Sequence, residues 1–240
     1  MSTIIRKCQE HGESLKGDVR QLVVTIDGPA GVGKSTLAKK LATQLGYTYL
    51  DTGALYRAVA WKAQSQAVDL KDHEQVGELL AATSLKLSTC EGSLSVLVDG
   101  EIVTNEIRSL AVGQLASKVA ALPEVRAWLL PIQREFAHAR GIVVEGRDMG
   151  TTVFPDAEVK FFLDADLDVR ISRRYRELQD QDRNKNWADV QEEIASRDRR
   201  DRSRSVAPLF PATDAMMIDT SNLSIDQVLD RMTAVVATRL

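Results

Sequence analysis

Short runs of consecutive apolar residues, many of them β-branched, alternate along the chain with longer stretches in which apolar positions recur every three or four residues. The runs at 22–26, 47–50, 142–144, 159–163 and 215–218 predict strands, the second being the weakest. They are apolar throughout rather than alternating, as befits a parallel sheet covered by helices on both faces. Helical period follows Gly33 and returns over 53–67, 73–83, 106–121, 124–139, 166–179 and 187–202. A last helix opens at Ser224-Ile225-Asp226-Gln227, a capping box in which the serine hydroxyl and the glutamine amide each satisfy an unpaired N–H. This alternation predicts βαβ units and an α/β fold.

Between about 85 and 105 the pattern changes to two alternating runs joined by Glu91-Gly92, with a third after Asp99-Gly100. Such a segment is antiparallel, and a hairpin does not fit inside a βαβ crossover. The stretch from about 79 to 118 is therefore expected to be a small insert.

Composition narrows the class. The 240 residues are 44% hydrophobic and 27% charged, which excludes collagen-like and disordered chains. No apolar run approaches the roughly 18 residues of a membrane span. A formal charge of −3 gives no global basic surface for nucleic acid or anionic lipid. Cys8 and Cys90 have no metal-like spacing, and the first twenty residues lack the apolar stretch of a signal peptide, so a reducing cytoplasm fits. Residues 1–20 read as a polar, mobile tail.

Gly28-Pro29-Ala30-Gly31-Val32-Gly33-Lys34-Ser35 matches G-x-x-x-x-G-K-[ST], directly after a strand and directly before a helix. The glycines let backbone N–H groups wrap a phosphate, and the helix start adds its positive dipole end. Lys34 supplies a mobile charge for the β- and γ-phosphates, and the Ser35 hydroxyl is placed to ligate Mg²⁺. A nucleoside triphosphate site spanning Gly28 to Thr36 follows. No N-K-x-D guanine motif accompanies it, because Asn184-Lys185-Asn186-Trp187 lacks the aspartate. Asp164 ends a strand resembling a Walker B element, but Ala165-Asp166 follows it where a water-activating glutamate would be needed.

Of 20 arginines, 10 fall between Arg170 and Arg204, diluted by eight acids to a net +3 with Lys185. Many of them fit a solvated helix face laced with ion pairs. Arg170, Arg173 and Arg174 share one helix face and would close over polyphosphate as a lid, stabilising charge on the transferred group. Arg197, Asp201 and Arg204 share another, suited to a ligand carrying a phosphate and a ribose hydroxyl. Two further strings, Asp51-Thr52-Gly53-Ala54-Leu55-Tyr56-Arg57 and Glu145-Gly146-Arg147-Asp148-Met149-Gly150, leave strands at the carboxyl edge, where open α/β sheets bind ligands.

From about Leu22 to the C-terminus the sequence resembles the bacterial-type cytidylate kinases among the P-loop nucleoside monophosphate kinases. The resemblance is carried by TIDGPAGVGKST, LDTGALYRAVAW, EIRS, EGRDMGTTVFPDAEVKFFLDA and the run from RDRRDRSRSVAPL to DAMMIDTSNLSIDQVL. It implies a five-stranded parallel core (21–52, 141–168 and 205–240), an NMP-binding region over about 53–140 that holds the insert, and an Arg-rich lid over about 169–204. It further implies that Thr52, Ser117, Arg126 and Asp148 border the cytosine, that Arg57, Arg147 and Arg204 hold the acceptor phosphate, and that Arg197 and Asp201 contact the ribose. The chain departs from the commonest pattern at Thr52, often Ser, at Glu145, often Asp, and in the N-terminal tail.

The expected reaction is Mg²⁺-dependent transfer of the ATP γ-phosphoryl group to CMP or dCMP by a cytoplasmic monomer that binds neither nucleic acid nor membrane. Lys34 and the lid arginines would stabilise the transition state. Two rival readings remain: a kinase for another small acceptor such as UMP, dTMP or shikimate, and a nucleic-acid-binding ATPase, against which the acidic net charge speaks.

Overall fold

The computed structural model describes residues 21–90, 93–137, 141–181 and 186–240. The expected mobile tail, the Glu91-Gly92 turn, the Asn184-Lys185 pair and the helix end at 139 lie outside the described residues. In chain order the elements are β1 (Val23–Asp27), α1 (Lys34–Leu45), β2 (Thr48–Asp51), α2 (Thr52–Ser65), α3 (His73–Ala82), β3 (Leu85–Cys90), β4 (Ser93–Val98) and β5 (Glu101–Ile102). There follow α4 (Leu110–Val119), α5 (Pro123–Ala137), β6 (Ile142–Glu145), β7 (Val159–Asp164), α6 (Leu167–Gln181), α7 (Trp187–Ser203), β8 (Met216–Asp219) and α8 (Ile225–Ala237).

The five apolar runs form one sheet in the order β2-β6-β1-β7-β8, and every neighbouring pair is parallel. β1 lies at its centre, with Val24 paired to Val143 on one side and Val159 on the other. Full burial of Val24 and Ile26 explains why that run carries no polar alternation beyond the buried Thr25. One side of the sheet packs on Leu37 and Leu41 of α1 and Val228 and Met232 of α8. The other packs on α2, α4 and α5 through residues such as Leu55, Val59 and Leu129. The α8 capping box forms, with the Ser224 hydroxyl accepting from Gln227 N and the Gln227 amide oxygen accepting from Ser224 N.

The antiparallel segment is a separate three-stranded sheet, β3-β4-β5, with Leu85 opposite Val98 and Leu87 opposite Val96. These four side chains are buried and join the core under α2. Alternation along the hairpin thus reflects one face on the core and one in solvent.

Two local features differ from the expected pattern. The stretch 106–121 is not one helix: a 3₁₀ turn at Glu106–Arg108 precedes α4, and Ser109 between them is extended (φ −59°, ψ 151°). The Ser109 hydroxyl accepts from Val112 N at 3.4 Å, so the same residue that breaks the period caps the next helix. After β6 the chain winds into a π-helix, Met149–Val153. Asp27 at the end of β1 pins it, accepting from Met149 N at 2.9 Å and Gly150 N at 2.8 Å. Among the described residues no helix is long and apolar enough to cross a membrane.

Candidate active site

Parallel pairing brings the carboxyl ends of β1, β2, β6 and β7 to one edge, and with them the loops that carry Lys34, Thr52 and Arg147. The glycine-rich loop bends there under steric compulsion. A Cβ on Gly28 (φ 149°) would stand 2.2 Å from the Leu163 carbonyl oxygen, and one on Gly31 (φ 75°) 2.9 Å from that of Arg170. Gly33 starts α1 from the left-handed region with no side-chain cap, so the first-turn N–H groups have no competing side-chain acceptor there.

Lys34 is buried, its Nζ donating to the Pro29 carbonyl at 2.6 Å. Burial first, then Arg147 and Arg197, push its ammonium well below the usual lysine range, with Glu145 opposing. The Ser35 hydroxyl donates to Glu145 Oε2 at 3.0 Å, and the Tyr49 hydroxyl donates to Glu145 Oε1. Burial, reinforced by Asp51, raises the Glu145 carboxyl above its ordinary value.

A cleft of about 1280 Å³ runs from this loop to α4 and α5. Its wall carries Thr52, Arg57, Ser117, Arg126, Arg147, Asp148, Arg197, Asp201 and Arg204 together with the stretch from Ala30 to Thr36; Gly28 and Pro29 lie behind it. Two carboxylates organise these arginines. Asp148, 2% exposed, accepts from Arg126 on one oxygen and from Arg204 Nη2 at 3.1 Å on the other. Arg126 also donates to Ala120 O and lies 5.5 Å above the Tyr56 ring. Asp201 accepts from Arg147 Nε at 2.8 Å, and Arg197 Nε approaches the same oxygen at 4.0 Å without a hydrogen bond of its own. Burial and Arg147 lower the Arg197 guanidinium to about 10.

The remaining groups on this part of the wall are held singly. Thr52 Oγ1 donates to the Glu145 carbonyl at 2.8 Å, and Arg57 Nη1 to Ile107 O at 3.2 Å. A Cβ on Gly113 of α4 would come within 3.1 Å of that Arg57 nitrogen, so a larger residue there would shift the guanidinium. Ser117 Oγ accepts from Arg200 Nε at 3.1 Å. With guanidiniums in excess of carboxylates on its wall, the cleft attracts anions.

Arg170, Arg173 and Arg174 do not present one common face to the cleft. Arg173 donates to Thr220 Oγ1 and O at 2.9 and 2.6 Å, and Arg174 pairs with Glu177 at 3.0 Å and Glu193 at 3.7 Å; both line the cleft. Arg170 is off the wall. It is buried beneath the loop, donating to Asp198 Oδ2 at 2.5 Å, to Ala30 O at 3.1 Å and through Nε to Ala165 O at 3.0 Å. A buried guanidinium needs its donors satisfied, and this arrangement spends them on the protein rather than on a phosphate.

Three groups escaped the sequence reading. Asp27 had only its place before the glycine-rich loop to mark it. Tyr49 offered no signal. Arg200 lies in RDRRDRSR, three residues from Arg197, where the partnership with Ser117 depends on a distant helix.

Residues 24–238 match a protein-family model described as cytidylate kinase. The chain belongs to the cytidylate kinase family. A cytidylate kinase of Haemophilus ducreyi is 43% identical over 219 residues, covering 91% of this chain and 98% of its own length. One of Pasteurella multocida is 46% identical over 209 residues, covering 87% and 92%, and one of Serratia proteamaculans 47% over 209 residues, covering 87% and 91%. Phosphoryl transfer between nucleotides, the chemistry of a cytidylate kinase, ordinarily needs a divalent metal. Among the described residues no group of three or more His, Cys, Asp or Glu could hold a metal ion. The hard hydroxyl oxygen of Ser35, held by Glu145 beside the loop, suits a cation that takes its other ligands from phosphate and water.

Proposed function

We propose that the cleft transfers the γ-phosphoryl group of ATP to CMP or dCMP, giving ADP and CDP or dCDP, with Mg²⁺ as the accompanying cation. The observation that carries this reading is the continuity of one cleft from Lys34 and Ser35 to the Asp148 and Asp201 carboxylates with their arginines.

Gly28 to Thr36 binds the ATP phosphates, and Lys34 neutralises charge developing on the transferred group. Ser35 holds Mg²⁺, which when bound neutralises charge on the β- and γ-phosphates. Arg57, Arg147 and Arg204 hold the acceptor phosphate, Arg197 and Asp201 the ribose, and Thr52, Ser117, Arg126 and Asp148 border the cytosine. The free Nε of Arg197 is a donor awaiting a partner. No general base takes part, because the acceptor phosphate oxygen is already ionised near neutral pH; the residues position it in line. In this reading residues 21–52, 141–168 and 205–240 form the ATP-binding core. Residues 53–140 hold the acceptor, and 169–204 close as a lid in which Arg173 and Arg174 exchange their present partners for phosphate oxygens and exclude water.

Coupled ADP release measured across all nucleoside monophosphates and shikimate tests the assignment. The expected ranking places CMP and dCMP first. A higher kcat/KM for shikimate, dTMP or UMP contradicts it, as does ADP release that needs RNA or DNA instead of a monophosphate.

A further inference from the structure

Glu145 closes β6 and is 4% exposed, and both of its carboxylate oxygens are taken by hydroxyl groups. Ser35 donates to Oε2 from α1 at 3.0 Å, and Tyr49 donates to Oε1 from β2. A serine hydroxyl has one proton and two lone pairs. With the proton spent on Glu145, the lone pairs of Ser35 are what remain for the cleft that it lines.

The orientation of Ser35 is then only as firm as that of Glu145. Parallel pairing of β2 with β6 places Tyr49 opposite Val143 and Asp51 opposite Glu145, so the phenol reaches the carboxylate from the neighbouring strand. Tyr49 itself is held from the other side by Lys39, whose Nζ lies 5.6 Å from the ring centroid. Removal of the phenolic hydroxyl leaves one buried carboxylate oxygen unpaired and frees the carboxylate to turn about its last bond.

We propose that Tyr49 is a positioning residue for the divalent cation: by holding one oxygen of Glu145 it keeps the other on the Ser35 proton and so turns the Ser35 oxygen towards the metal. This rests on the placement of the cation at Ser35 put forward above. Groups that orient a ligand from behind set metal affinity by factors of roughly 10 to 100.

The test is Tyr49→Phe, read by Mn²⁺ binding to the enzyme–ADP complex through water proton relaxation, beside the Mg²⁺ dependence of turnover. The expected result is Mn²⁺ binding weakened about tenfold and half-saturating Mg²⁺ raised by a similar factor. ADP binding without metal and the KM for CMP should stay within about twofold. In a Ser35→Ala background Tyr49→Phe should weaken Mn²⁺ no further. Unchanged Mn²⁺ binding in a folded Tyr49→Phe variant overturns the proposal, as does an equal loss in the Ser35→Ala background. Should Tyr49→Phe fail to fold, Glu145→Gln serves instead, since an amide can accept from only one of the two hydroxyls through its oxygen; unchanged Mn²⁺ binding there is equally fatal. The Mn²⁺ and ADP binding readings do not use the acceptor, so a mistaken acceptor leaves them intact. Wild-type protein that fails to bind ADP would overturn the nucleotide reading itself.

Discussion

Asp148 holds two arginines in the structure, and the proposed function gives the same side chain a second, recognition duty. Its carboxylate binds Arg126 and Arg204, not the adjacent Arg147, which turns instead to Asp201. Truncation to alanine would strand two buried guanidiniums at a cost of about 3 to 5 kcal/mol, so the informative change is Asp148→Asn. Cytosine's exocyclic amine can donate to this carboxylate, whereas uracil presents a carbonyl there and leaves two acceptors facing each other. We expect Asp148→Asn to lower the CMP:UMP ratio of kcat/KM by roughly 5- to 150-fold, from the 1 to 3 kcal/mol of an unmet polar pairing. A folded variant with an unchanged ratio would assign Asp148 to holding its two arginines alone.

Asp27 belongs to the same scale but acts on stability. Burial above all, opposed by the Met149 and Gly150 N–H groups, raises its carboxyl from 3.8 to about 6. A carboxyl whose folded value lies above its unfolded one favours the fold most at pH below about 4, and that contribution is lost as pH rises through about 6. The shift corresponds to about 3 kcal/mol. Against Asp27→Asn, which does not titrate, the wild type should therefore lose about that much relative stability between pH 4 and pH 7 in denaturant titrations. A constant gap between the two proteins over this range would refute the assignment.

Among the elements, the strands were the most legible in the sequence, because central position in a parallel sheet favours mostly apolar runs at 22–26, 142–144 and 159–163, interrupted only by the buried Thr25 and Lys160. The antiparallel sheet was legible for the converse reason, its alternation marking one wet face. The break at Ser109 was not, since apolar period continues through it and only the extended backbone separates the 3₁₀ turn from α4. Nor was the π-helix after β6, which depends on Asp27 more than a hundred residues away. Charges on α6 and α7 suggested pairs within each helix, yet the buried ones reach across elements: Arg170 to Asp198 and Arg147 to Asp201. Helical spacing brought Arg197, Asp201 and Arg204 into view, and the family resemblance Ser117 and Arg126, in each case without their partners. Arg170 illustrates the consequence, because it ties α6 to α7 and to the carbonyl of Ala30 in the phosphate loop. Arg170→Ala should cost about 3 to 5 kcal/mol of unfolding free energy, with a raised KM for ATP. Full stability with a purely catalytic loss would return Arg170 to the role of a phosphate-facing finger.

At the scale of the whole molecule, a chain of net charge −3 concentrates cationic side chains around one cleft. The sheet edge supplies the phosphate loop, the region around α4 and α5 supplies Ser117 and Arg126, and α7 with the residue that caps its end supplies Arg197, Asp201 and Arg204. Neither the loop nor the arginines alone would separate a kinase from an ATPase; their convergence favours transfer to a second anion over hydrolysis. The most direct measurement follows the label from [γ-³²P]ATP in the presence of Mg²⁺ and CMP. The account predicts recovery of the label in CDP, at a rate that depends on CMP, with little in inorganic phosphate. Label released mainly as inorganic phosphate, at a rate indifferent to CMP, would contradict it.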